Sequence, residues 1–123
     1  PEKWRLIKGV SNKKYYKRRF FFSRACNIAL RVEDNIEAAH LCGVLSRAWY
    51  NQRGRCAYTG KRLDRNAQVD HKTPTSRGGS NDASNLHWVT ADANWVKGTM
   101  THSEFIAICS DIAAYIEANK HGK

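Results

Sequence analysis

Five residues in the middle of the chain have types and spacings that suit one reaction. Asp70 and His71 are adjacent, Asn85 follows a Gly-rich stretch, and Asn94 stands three residues before Lys97. Hydrolysis of a phosphodiester needs a water that loses a proton, balance for the charge on phosphorus, and a stabilised leaving oxygen. One divalent ion meets the last two needs as Lewis acid and template. A neutral histidine meets the first, because its pKa lies near neutral pH. Asp70 offers a hard anionic oxygen and Asn94 a hard neutral one. Together they leave several positions to water and phosphate, the usual habit of Mg²⁺. His71 offers the proton acceptor, and Lys97, one helical turn from Asn94, is placed to hold a phosphate.

Each residue also has a plainer explanation. His71 alone is an ordinary surface imidazole, Asp70 a turn or cap residue, and Asn85 an Asx-turn closing the Gly-rich loop. Asn94 is then a helix-surface amide, and Lys97 a cation favoured at a helix C-terminus. Lys72, Arg77, Lys61 and Arg62 lie near the candidate site as phosphate contacts or as solvated charge. His87 should share a strand face with Asn85, as an extra ligand, a phosphate contact or a hydrogen-bonded strand histidine. His40, His102 and His121 read as structural or surface residues.

The elements that must position these groups follow from periodicity. Residues 34–52 read as a helix: Asp34 and Glu37 form a capping-box pair, Leu41, Val44, Leu45 and Ala48 recur at helical spacing, and Gly54 ends it. Residues 55–63 look like a short hairpin turning near Thr59 and Gly60. Residues 67–72 read as a strand that ends before Pro74, Arg77–Asp82 as a loop, and residues 85–89 as a second strand. Alternation points Asp70 and His71 to opposite faces unless the strand bends. Thr90 is expected to cap a short helix over 91–97, closed by Gly98. Thr101 and Glu104 open a helix over 102–119 with Phe105, Ile108, Cys109, Ile112 and Ile116 on its inner face. The fold class expected is α+β, with a small strand–loop–strand–helix core at about 67–98 between two longer helices.

The polar clusters break otherwise apolar patterns, which is how sites declare themselves. In order and spacing, Val69-Asp-His-Lys-Thr-Pro74, Gly78-Gly-Ser80, Asn85-Leu86 and Asn94-x-x-Lys97 resemble the HNH endonucleases, or ββα-metal nucleases. The resemblance covers about residues 36–110. It implies Asp70 and Asn94 as metal ligands, with one divalent ion, Mg²⁺ or in its place Mn²⁺. It implies His71 as the general base, and Asn85 as the central Asn that steadies the loop and the orientation of His71. The products implied are a 5′-phosphate and a 3′-hydroxyl. Many members of the family end the motif with His. Asn94 makes this an HNN variant, which favours an all-oxygen protein shell over a Zn²⁺ catalytic site. Many relatives also carry two Cys-x-x-Cys pairs on a structural zinc. Here Cys56 stands alone, with Thr59, Thr90 and Ala93 at the other places, so no structural zinc is expected. Packing by Tyr58, Trp88 and Trp95 is expected to replace it.

Charge points to a polyanion. The chain of 123 residues has 21 Lys+Arg and 11 Asp+Glu, a formal net charge of +10. Nine basic residues fall in the first 24, among them Lys13, Lys14, Lys17, Arg18 and Arg19, against Glu2 alone. Each Lys or Arg set on a phosphate releases condensed counterions. A basic arm over 1–32, rich in Tyr and Phe and with a helix expected near 24–31, is therefore expected to contact duplex DNA, with residues 33–123 forming the nuclease domain. Lys72, Arg77 and Lys97 are expected to join it. A solvated basic tail is the alternative for the arm, a DNA-binding module without catalysis or an RNA-cleaving nuclease or toxin the alternative for the whole. The sequence leaves monomer and homodimer open.

No run of about 18 apolar residues offers a membrane span, and the N-terminus lacks the order of a secretory signal. A cytoplasmic, intracellular protein is expected, and the start at Pro1 without Met suggests a processed or excised fragment. Cys26, Cys42, Cys56 and Cys109 form no Cys-x-x-Cys pair. They are expected to stay reduced, with Cys42 and Cys109 as buried thiols.

Overall fold

The computed structural model describes residues 35–120. The expected basic arm with Lys13, Lys14, Lys17, Arg18 and Arg19, the helix expected near 24–31, Cys26, the cap at Asp34 and His121 lie outside the described residues. Within them the fold is α+β: a two-stranded antiparallel hairpin and a short helix, flanked by two longer helices.

The first long helix, α1, runs Asn35–Asn51. Ala38, Leu41, Cys42, Leu45 and Trp49 recur every three or four residues and form its buried stripe. Ser46 is also buried, and its hydroxyl donates to the Cys42 carbonyl at 2.8 Å, so it carries no unmet polar group. The helix leaves through two left-handed residues, Arg53 (φ 55°) and Gly54 (φ 66°), with the Gly54 N–H donating to the Trp49 carbonyl at 3.1 Å. Gly54 accordingly follows the helix end, as expected. The hairpin expected over 55–63 is realised as a single bridge, Arg55 to Arg62, closed by the Gly60 N–H on the Cys56 carbonyl at 2.9 Å.

Strand β1 (Gln68–His71) pairs with β2 (Leu86–Val89) in a register that sets Asp70 opposite His87 and Val69 opposite Trp88. The Val69 and Trp88 face turns to α1. The Trp88 indole N–H donates to the Leu45 carbonyl at 2.8 Å, and the ring meets Trp49 edge-on at 5.1 Å. Burial of each such ring stabilises by about 2–3 kcal/mol, and an edge-on pair adds about 1 kcal/mol. The other face turns to α2 (Ala91–Lys97), so all four residues of β2 are buried.

Thr90 stands at the N-cap of α2, but its side chain makes no capping bond. Its hydroxyl lies 3.7 Å from the Cys56 sulfur, and Asp92 instead accepts the Ala93 N–H at 2.8 Å. The last helix, α3 (His102–Asn119), opens on the expected capping box between Thr101 and Glu104.

Three packing expectations fail. On α3 only Phe105 is buried; Ile108, Ile112 and Ile116 are exposed, and Cys109 with them. The hairpin and α2 are short, so they cover the first turn of α3 and the rest runs past them. Trp95 is 85% exposed, because its position on α2 faces away from β1, where Asn94 and Lys97 face toward it. No helix among the described residues is long and apolar enough to cross a membrane.

Candidate active site

The register explains the centre of the site. Asp70 and His87 are cross-strand partners, and the His87 Nε2–H donates to Asp70 Oδ2 at 2.7 Å. Tyr58, carried in by the turn after Cys56, donates its hydroxyl to the same oxygen at 3.2 Å. The hydroxyl has one proton, so His102 Nδ1, 2.9 Å away, must be the donor to the Tyr58 oxygen. On the other side, Lys97 Nζ lies 3.0 Å from Asp70 Oδ1 and donates to the His71 carbonyl at 3.0 Å. Asp70 is 4% exposed and Lys97 1%.

Electrostatics follow from these partners. Burial would raise the Asp70 carboxyl, but His87 and Lys97 outweigh it and hold it below the ordinary carboxylate value. Burial, with the Asp70 charge behind it, pushes the Tyr58 phenol well above its ordinary value, so Tyr58 stays a proton donor. Burial also lowers His102, with help from His87 and Lys72 nearby.

Asn94 and Lys97 share the face of α2 that meets Gln68 and Asp70. Asn94 donates its amide to Gln68 Oε1 at 2.6 Å. The expected ligands Asp70 and Asn94 thus lie on facing elements, but they bond to different partners, Asn94 to Gln68 and Asp70 to Lys97, His87 and Tyr58. His71 takes the opposite side, as alternation requires. It is half-buried at the end of β1, and its Nε2 lies 2.8 Å from Asn81 Oδ1 in the loop.

Asn85 clasps that loop. Its Oδ1 accepts the Thr73 N–H at 2.8 Å, and its Nδ2 donates to the carbonyls of Thr73 at 3.1 Å and Ser80 at 2.8 Å. Gly79 completes the clasp, because a Cβ there would sit 1.7 Å from the Thr73 carbonyl oxygen. The structural role expected for Asn85 and its role in steadying the residues after His71 are one set of bonds.

Lys97, expected to reach a phosphate, is instead buried and spent on Asp70 and the His71 carbonyl. Arg77, expected to contact DNA, forms a two-pronged ion pair with Glu104 at 2.5 and 3.2 Å. Lys72 is half-buried, and its backbone carbonyl accepts the His102 N–H at 2.7 Å. Sequence offered Tyr58 only as packing and His102 only as a structural or surface residue, and did not single out Asn81; only a known register and loop path brings them to Asp70 and His71.

Beside Asp70 Oδ1 stands the His71 backbone carbonyl, each 3.0 Å from Lys97 Nζ. Two hard oxygens of this kind suit Mg²⁺ or Mn²⁺, and the Lys97 ammonium already stands between them as a cation. Among the described residues no three His, Cys, Asp or Glu side chains converge to hold a metal. A divalent ion here would have Asp70 as its one anionic ligand, with neutral oxygens such as the His71 carbonyl, and water, completing the shell. An apolar cavity of about 330 Å³ between α2 and α3, lined by Tyr58, Val96, Phe105 and Cys109, includes neither Asp70 nor His71.

Compared with known proteins, the chain matches no family model, no curated protein and no solved structure.

Proposed function

We propose that the chain is a divalent-metal-dependent endonuclease of the HNH type that hydrolyses DNA phosphodiesters. One observation carries this reading. A single strand ends in Asp70, facing a helix that carries Asn94, and in His71, facing outward on a clasped loop. Two further features support it. Cys56 lies beside Thr90, whose N–H donates to its sulfur at 3.3 Å; two positions that would carry zinc cysteines in relatives of that type thus lie together. The formal charge of +10 suits a polyanionic substrate.

In this mechanism a divalent ion held by Asp70 and Asn94 would supply charge balance for the phosphorus and the leaving oxygen. His71 moves the proton. With Asn81 Oδ1 as acceptor, the neutral imidazole carries its hydrogen on Nε2 and keeps the Nδ1 lone pair to take a proton from water. The water oxygen bonds to phosphorus as the bond to the 3′ oxygen breaks; that oxygen takes a proton from solvent, leaving a 5′-phosphate and a 3′-hydroxyl. Asn81 orients the ring, and Asn85 holds the loop that carries Asn81.

The test is purified protein with supercoiled plasmid in Mg²⁺ or Mn²⁺, with and without EDTA. Nicked or linear DNA should form only with the ion. His71→Ala should keep DNA binding and lose about 10²–10⁴-fold in cleavage. Absence of cleavage with every divalent ion, or full activity in His71→Ala, rejects the proposal. A DNA-binding module without catalysis is the second reading, favoured by the saturation of Asp70 by Lys97, His87 and Tyr58; binding without cutting identifies it. Parallel assays on single-stranded and duplex RNA test the RNA-cleaving alternative.

A further inference from the structure

A buried lysine is costly unless its charge is met, and Lys97 has no place in the chemistry just described. We propose that Lys97 is an internal counter-cation of Asp70 that a divalent ion must displace, so that ion entry and lysine withdrawal are one exchange. The inference rests on the metal-dependent reading above.

The geometry sets up the competition. Lys97 Nζ lies 3.0 Å from Asp70 Oδ1 and 3.0 Å from the His71 carbonyl oxygen, two of the oxygens a divalent ion would use. An ammonium and a divalent ion within a few ångströms repel strongly where water is scarce. Only one of the two occupies Oδ1. The other carboxylate oxygen is held independently by His87 at 2.7 Å and Tyr58 at 3.2 Å. Asp70 therefore keeps its orientation when the lysine leaves. The fully buried lysine can withdraw only if the end of α2 moves. It is the last residue of α2, its flexible stem has four carbons, and Gly98 and Thr99 immediately after it are exposed.

The exchange has a direct consequence for affinity. In the wild-type chain the ion must first expel a charge already satisfied by Asp70, so part of its binding free energy is consumed. With the lysine charge removed, the ion meets an Oδ1 with no competing cation, while His87 and Tyr58 still hold Oδ2. Mn²⁺ titration calorimetry on the full chain tests this with wild type, Lys97→Met and Lys97→Gln. Lys97→Gln keeps a hydrogen-bond donor toward Asp70 and the His71 carbonyl, and so guards against a variant that fails to fold. Thermal melting with and without Mn²⁺ gives a second readout.

The expected result is weak Mn²⁺ binding by wild type and at least tenfold tighter binding by the variants, with a larger Mn²⁺-dependent rise in Tm. A variant unfolded without Mn²⁺ that folds on its addition supports the exchange equally. The gain should vanish in Lys97→Gln/Asp70→Asn, which places the ion at Asp70. Mn²⁺ binding by wild type that is unchanged or weakened in both variants overturns the exchange and leaves the nuclease reading standing. No Mn²⁺ binding by any protein overturns both.

Discussion

Asn85→Ala removes three hydrogen bonds from one side chain, to the Thr73 N–H, the Thr73 carbonyl and the Ser80 carbonyl. At about 1 kcal/mol net for each bond, complete loss amounts to about 3 kcal/mol. The side chain is half-exposed, so water replaces some of what is lost, and the expected cost is about 2 kcal/mol. Asn85→Asp makes a sharper comparison, since its shape is nearly the same. One carboxylate oxygen still accepts the Thr73 N–H, but the other replaces the amide donor and faces two carbonyl oxygens at distances of 3.1 and 2.8 Å. At pH 7 Asn85→Asp should therefore be less stable than Asn85→Ala. The folded state raises the pKa of the new carboxyl, so lowering the pH toward the ordinary carboxyl value near ~4 should recover stability. Urea unfolding followed by tryptophan fluorescence measures the ranking, because Trp49 and Trp88 are buried reporters. Hydrogen exchange at the Thr73 amide separates opening of the loop from global unfolding. An Ala variant within about 0.5 kcal/mol of wild type and with Thr73 still protected, or an Asp variant as stable as wild type at pH 7, refutes the clasp.

Two further predictions rest on single contacts. Gly79→Ala must push its Cβ out of a position 1.7 Å from the Thr73 carbonyl oxygen, which is backbone. It should cost about 2 kcal/mol or more, whereas Gly78→Ala, at φ 89° in open space, should cost only about 1 kcal/mol for the left-handed backbone; urea unfolding gives both values, and the reverse order rejects the close approach. The Arg77 guanidinium and the Thr101 N–H hold the Glu104 carboxyl at about 2, below its ordinary 4.5. A depressed carboxyl favours the folded state above its unfolded value, and the contribution fades as pH falls from about 4.5 through about 2. NMR titration should place the Glu104 midpoint near the lower figure, and Arg77→Ala should raise it; an unmoved midpoint removes the ion pair from its role.

What sequence made legible was what is encoded locally. The capping box at Thr101 and Glu104, the stop at Gly98 and the alternation through 67–72 and 85–89 each placed an element within a residue or two. Asn85 was legible as a loop residue because an Asn after a Gly-rich run has few other uses. What was not legible depends on contacts distant along the chain. Lys97 looked like a solvent-facing cation because the helix dipole explains one there; its inward turn follows from the strand register and the approach of α2. Arg77 looked available to a phosphate because nothing local joins it to Glu104. The isoleucines of α3 keep helical spacing whether or not anything covers them, so periodicity alone overstated the core.

The clasp at Asn85 and Gly79 has a consequence for variation. Residues 72–85 form a ring fastened at its neck, with His71 just outside the knot. Changes at the exposed tip, Thr75–Gly78, are absorbed on the far side of the fastening, save at Arg77, which reaches Glu104 on α3. The tip is thus where such a chain can lengthen or change its surface while the imidazole and the carboxylate beside it keep their spacing.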